Sequence, residues 1–132
     1  MIVCLAPPEA FSGAVVEMLT PAMPGAGVDQ GWVRERLDSC HAQLWLAIDG
    51  GETAAALLTQ MTMDDELECL LAGGVRAKDW AVPAVKAITA WGFEHGAVLC
   101  RVWGRPGWRR LLKGWEFKGM ENGLALLEMR RG

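Results

Sequence analysis

The spacing of apolar and polar positions changes several times along the chain, and each change predicts an element. Ile2–Ala6 is a short apolar run ahead of Pro7-Pro8 and predicts a first strand. From Glu9 to Leu19, the apolar residues Phe11, Val15, Met18 and Leu19 recur near the spacing of one helix face. The stretch TPAMPGAG from Thr20 breaks that helix with two prolines and two glycines. Asp29 can cap a second, amphipathic helix on which Trp32, Val33, Arg36, Leu37 and Cys40 follow at helical spacing.

From Leu44 the period shortens. The strand LWLAID runs into Asp49-Gly50-Gly51, a hairpin signal, and AAALLTQMTM returns. Asp64-Asp65-Glu66 makes an acidic turn. Leu67 to Ala72 is almost wholly apolar, as in a strand covered on both faces, and it ends at Gly73-Gly74. Asp79 stands as an N-cap, and Pro83, tolerated only near a helix start, places the next helix start close to Asp79–Ala81. Ala84, Ile88 and Trp91 share one face of that helix, and His95-Gly96 ends it. VLCRVWG is a strand, Gly104–Gly107 a turn, and Trp108–Lys113 a short helix. Asn122-Gly123 signals another hairpin before the closing strand LALLEMRR. The order is β-α-α-β-β-β-α-β-α-β. A mixed sheet with helices on its faces, of the α/β (α+β) class, buries these elements most economically. At 132 residues, without linker, repeat or low-complexity segment, residues 1–132 read as one domain.

Composition narrows the picture. Half the residues are apolar, enough for a core without disulfides or metal. Cys4, Cys40, Cys69 and Cys100 form no CxxC pair, and only His41 and His95 could join them, so no zinc spacing exists. Both histidines fall at helix ends, where a charged imidazole gains from the helix dipole. The N-terminus has no basic region followed by a long apolar run, and no apolar run is long enough to span a membrane. These features predict a cytoplasmic protein or one packaged in a particle. Charge is distributed unevenly. Residues 1–100 carry five Lys and Arg against thirteen Asp and Glu, whereas residues 101–132 carry eight against three.

The residues LLAGG, VWGRPGW and RRLLKGWEF, in the order of elements above, resemble the GNAT (N-acetyltransferase) superfamily. They are closest to small GNAT-like proteins encoded in phage and prophage genomes. The resemblance covers nearly the whole chain. It implies a single mixed, mostly antiparallel sheet with helices on both faces, and acetyl-CoA bound where the fourth strand parts from the fifth. The cofactor's diphosphate would then lie on the amides at the start of the next helix. Carried onto this chain, the cofactor-binding residues are Gly73, Gly74, Arg76 and Lys78. Family members with activity carry Arg/Gln-x-x-Gly-x-Gly/Ala in that loop; here it reads GGVRAKDWAVPAV, with the glycines early and with Trp80 and Pro83 where small residues and amide donors are wanted. Many members also use a tyrosine on the helix after the fifth strand as general acid. This chain has no tyrosine and offers Leu111 and Leu112 there. Glu68, sharing a strand face with Leu70 and Ala72, is the candidate general base, with Glu66 beside it.

Two functional expectations follow. The first is an acetyl-CoA-dependent N-acetyltransferase with a degraded cofactor loop. The second is a catalytically silent phage or prophage structural or accessory protein, virion-associated, that uses the fold for protein–protein contacts. Trp108, Leu111, Leu112, Trp115 and Phe117 read as core positions of the last helix and its exit. Arg105, Arg109, Arg110 and Lys113 remain outside, and with the tryptophans they suit a protein partner or self-association. Nucleic acid is a poorer fit, because the chain as a whole is acidic.

Overall fold

The computed structural model describes residues 1–132. Seven strands form one sheet in the order β1-β2-β3-β4-β5-β7-β6. They are β1 (Ile2–Ala6), β2 (Gln43–Asp49), β3 (Glu52–Met61), β4 (Glu66–Gly74), β5 (Leu99–Gly104), β6 (Glu116–Glu121) and β7 (Leu124–Arg130). Every neighbouring pair is antiparallel except β4 and β5, which are parallel and joined by an 18-residue helix. The helices are α1 (Gly13–Leu19), α2 (Met23–Ala26), α3 (Gln30–Asp38), α4 (Ala77–Glu94) and α5 (Trp108–Leu111).

Two cores lie on opposite faces of the sheet. Under α1–α3, Phe11, Leu19, Val33, Leu37, Leu44, Leu58 and Leu71 are buried together. Under α4 and α5, Trp45, Leu57, Leu67, Trp80, Ile88, Trp108 and Leu127 form the larger cluster. Leu57 and Leu58 are adjacent in β3 and both fully buried, one in each core, so a central strand reads as a continuous apolar run. Gly50 and Gly51 close the β2–β3 hairpin with φ of +59° and +84°, the left-handed pair that matches the twist of the strands. The Asp29 side chain accepts from the Trp32 amide at 2.8 Å and caps α3.

Several expectations need correction. The first helix is split: a 3-10 turn at Pro8–Ala10 precedes α1, and Arg34 donates to the carbonyls of Pro8 and Phe11 across the break. The segment after Leu19 is not a plain loop. It continues as a 3-10 turn at Thr20–Ala22 and then α2, both with proline in the first turn, where its missing amide costs nothing. Helix α4 starts at Ala77 rather than at Asp79–Ala81; Asp79 is not its cap, and Pro83 lies inside it. The amide lost at Pro83 is a small fraction of what the buried face of Trp80, Ala84, Val85 and Ile88 supplies. Finally, the segment around Phe117 is not merely the exit of a helix but strand β6, paired with β7 through the Asn122-Gly123 turn.

Candidate functional site

The central relationship is between β4 and β5. They pair only from Glu66–Leu99 to Cys69–Val102. Beyond that point β4 follows β3 as far as Gly74–Ala55, and β5 follows β7 as far as Gly104–Ala125, so the two strands part. The cause is local. Leu58 faces Leu71 and Thr59 faces Cys69, leaving Leu70 as an extra residue in β4. Such a bulge bends and twists the strand that carries it. It also reverses the alternation of faces. Cys69 packs with the α4 core, but Leu71 packs with the α1–α3 core and Ala72 against the α4 side. Glu68, Leu70 and Ala72 therefore do not share one face: Glu68 and Leu70 face the α1–α3 side and Ala72 the other.

A cavity of about 160 Å³ occupies the fork, lined by Met18, Leu70, Gly73, Trp80, Trp103 and Trp108 among others. The diglycine is explained by the crossing of α1 over Gly73 and the close approach of β3 to Gly74. A Cβ on Gly73 would stand 1.7 Å from the Met18 carbonyl oxygen, and one on Gly74 would stand 2.3 Å from that of Ala54. Trp80 donates its indole N–H to the Val75 carbonyl, just past the end of β4, at 2.9 Å. Trp108 lies on Gly104 at the end of β5, so close that a Cβ there would meet its ring at 2.7 Å. The two indoles meet edge to face with centroids 5.6 Å apart. Together they bridge the parted strand ends on the α4–α5 side. Arg105, also at the cavity, is exposed.

At the start of α4, Arg76 takes the N-cap position in a left-handed conformation, φ +55° and ψ +62°. Its carbonyl already receives the Asp79 amide at 2.9 Å. The Arg76 and Lys78 side chains are exposed. The Asp79 carboxylate, in the first turn, lies 3.6 Å from the Arg76 guanidinium. With the helix starting at Ala77, Arg76-x-x-Asp79-x-Ala81 occupies the place of the loop pattern quoted above, and an aspartate stands where glycine is wanted. The residues thus fit acetyl-CoA in part. Two cations at a helix start suit a diphosphate, but an internal carboxylate competes for that position, and the Trp80 and Trp108 indoles narrow the fork.

Glu68 sits in register with Arg101, one residue below the last β4–β5 pair. Arg101 is the hub there. Its Nε donates to Glu128 Oε2 at 2.8 Å, and one terminal nitrogen reaches Glu66 Oε1 at 3.0 Å and Glu68 Oε2 at 3.4 Å. Gln60 holds the other Glu68 oxygen at 3.3 Å. Burial alone would lower the Arg101 pKa, but the hydrogen bonds it donates to Glu128 and Glu66, with their charges, outweigh that effect and raise it. Three carboxylates around one guanidinium leave this patch net negative. Lys118 approaches Glu128 at 4.0 Å but is held by Glu116 at 3.0 Å.

The remaining chemical groups are quiet. Burial pushes Cys69 up to about 12 and Cys100 up to about 11, the latter against a lowering contact from Thr89, so neither is a ready thiolate. His41 Nδ1 lies 2.8 Å from the Ser39 hydroxyl. His95 donates to the Trp91 carbonyl at 2.7 Å and stacks on its ring. No group of three or more His, Cys, Asp or Glu side chains is placed to hold a metal. Leu112 is buried and Leu111 half-buried, so α5 presents no acid at the fork. The sequence reading missed Arg101 and the Trp80–Trp108 bridge. An arginine inside the apolar run VLCRVWG, opposite Glu66 and Glu68, was the available signal for the first.

Comparison by sequence finds no matching protein-family model and no matching curated protein. Comparison by structure finds close likenesses. A GNAT-family acetyltransferase of Streptococcus pneumoniae superposes with a TM-score of 0.71 at 12% identity over 99% of each chain. An IAA acetyltransferase of Bacillus cereus gives 0.70 at 12% identity over 98% of this chain and 99% of that one. A GNAT acetyltransferase of Elizabethkingia anophelis, solved with acetyl-CoA bound, gives 0.67 at 13% identity over 98% of each. This chain has the GNAT fold. The likeness rests on its seven-stranded, mostly antiparallel sheet with helices on both faces.

Proposed function

We propose that the chain is an acyl-CoA-dependent N-acyltransferase acting on an amine presented on the α1–α3 side of the fork. The fork itself carries this reading. Past Cys69 and Val102 the facing edges of β4 and β5 do not bond each other, and their free backbone groups need a partner. Arg76, Lys78 and the start of α4 would hold the diphosphate, beside Gly73 and Gly74 at the fork. Acyl-CoA would supply the activated thioester. The net-negative patch of Glu66, Glu68, Glu128 and Arg101 favours a cationic amine over an anionic acceptor, and Glu68 would take its proton. Binding of acetyl-CoA measured by calorimetry, with thiol release followed over a panel of primary amines, tests the proposal. At one hundred times its dissociation constant the ligand should stabilise the fold by about 2.7 kcal/mol. No thermal shift at millimolar acetyl-CoA would remove it.

A second reading has its own support in the Trp80–Trp108 bridge and the Arg76–Asp79 pair. The indoles narrow the fork, and the Asp79 carboxylate already engages the Arg76 guanidinium. On that reading the chain is a silent member of the fold, a phage or prophage accessory protein that works by contact. It predicts no acetyl-CoA binding and recovery of the protein in purified particles by mass spectrometry.

A further inference from the structure

Helix α5 is a single turn of four residues, and Leu112 already leaves the helical conformation. The flank of α4 beyond that turn is consequently uncovered. Between it and Met129 of β7 runs an apolar groove of about 520 Å³, floored by Val82, Phe93, Leu111, Trp115 and Met129. That volume falls within the roughly 300–1,000 Å³ of small-molecule sites. The eleven helical steps from Val82 to Phe93 give it a length of roughly 16 Å.

Polarity is confined to a few places. Lys86 on α4 and Lys113 after α5 line the groove and are exposed. Neither has a carboxylate within 4.0 Å, since every ion pair in the molecule involves Arg76, Arg101 or Lys118. The nearest acid along the chain from Lys113, Glu116, is already held by Lys118 at 3.0 Å. Within the groove wall the Thr89 hydroxyl is buried beside the Cys100 thiol.

An apolar trough flanked by two unpaired ammonium groups matches one kind of occupant: an extended apolar body with an anionic end. We propose that this groove binds a free, unbranched carboxylate of about ten carbons, its chain on Phe93, Leu111 and Met129 and its head between Lys86 and Lys113. The site is separate from the β4–β5 fork, which shares none of its lining residues, and so does not depend on whether acyl-CoA binds there.

The test uses decanoate as probe on the full chain, by calorimetry. One-to-one binding is expected, tightening about fourfold per methylene from hexanoate to decanoate, the gain that follows from burying each group. Lys86→Gln with Lys113→Gln should weaken decanoate roughly tenfold while leaving decanol unchanged. Ala90→Glu, an exposed change one turn from Lys86, would pair with that lysine and weaken decanoate similarly; circular dichroism and the melting temperature confirm that the variant is folded. Saturating acetyl-CoA should leave decanoate affinity untouched. The proposal fails if millimolar decanoate does not bind, if decanol binds equally well, if the lysine variants change nothing, or if acetyl-CoA competes. It fails equally if only anionic vesicles of phosphatidylglycerol bind, or if sedimentation shows the groove closed by a second copy that Ala90→Glu releases.

Discussion

Trp80 and Trp108 meet edge to face, ring planes at 75°, across the gap where β4 and β5 part. One indole is tied to the end of β4 through Val75, and the other rests on Gly104 at the end of β5. Trp80→Leu should therefore widen the fork. If a thioester arm enters there, acetyl-CoA affinity rises, by roughly tenfold or more, because the cost of displacing a packed indole is gone. The same change lowers stability by about 1–3 kcal/mol through lost packing. Calorimetry and urea unfolding read the two effects on one variant, and unchanged affinity would exclude this route.

Asp79 sets two effects against each other. Its carboxylate favours the start of α4 and pairs with Arg76, yet it repels a phosphate. Asp79→Asn should cost about 0.3–1 kcal/mol of stability while tightening CoA binding several-fold. Arg76→Ala should weaken CoA binding and barely move the melting temperature, since the exposed ion pair contributes little.

Removing the hub of the carboxylate cluster is expected to be costly. Arg101→Met leaves Glu128, whose side chain is only 8% exposed, without its partner, and should destabilise the protein by about 3–5 kcal/mol. Adding Glu128→Leu should recover much of that loss, as chemical denaturation of the single and double variants would show.

Gly73→Ala drives a methyl into the Met18 carbonyl and should cost about 3 kcal/mol or more. Gly107→Ala, with nothing within 4 Å of the added carbon, serves as the neutral control in the same melting series.

Stability should fall on the alkaline side. Burial holds Cys69 and Cys100 protonated up to about 12 and 11, while in the unfolded chain thiols titrate near 8.5. Their folded values are raised, so their contribution is whole below about pH 8.5 and is lost as the pH climbs towards 11. Urea unfolding at pH 7.5 and pH 10 should differ by roughly 1–2 kcal/mol for each thiol. Cys69→Ala and Cys100→Ala should each flatten the difference. At pH 8 a thiol reagent should modify the exposed Cys40 rapidly and these two only on unfolding.

The parts of the fold that were legible in the sequence have local causes. Asp29 announces a helix because its carboxylate meets an amide three residues on, and Gly50-Gly51 announces a hairpin because only that turn needs two positive φ angles. The diglycine ending β4 was legible as a strand end, although the close approaches of Met18 and Ala54 that require it come from distant parts of the chain. The candidate site was only half legible. Gly73 and Gly74 line the fork, Arg76 and Lys78 are exposed at the start of α4, and Glu68 lies in the paired stretch below, where its surroundings depend on partners distant in sequence. Arg101 meets Glu66 and Glu128 at separations of 35 and 27 residues, and no periodicity encodes such a meeting. Pro83 misled because a local rule was applied where tertiary burial prevails. The extra residue Leu70 was invisible, since a bulge leaves an apolar run looking uninterrupted.

That extra residue bends β4 without costing its later residues their places. Deleting Leu70 would restore an unbroken ladder with β3, and Leu71, Ala72 and Gly73 would keep their present partners and faces. Gly73 would still lie beneath the Met18 carbonyl, but the straightened strand would have lost the bend that turns it away from β5. A single codon thus keeps two neighbouring strands apart, and with them whatever chemistry the opening serves.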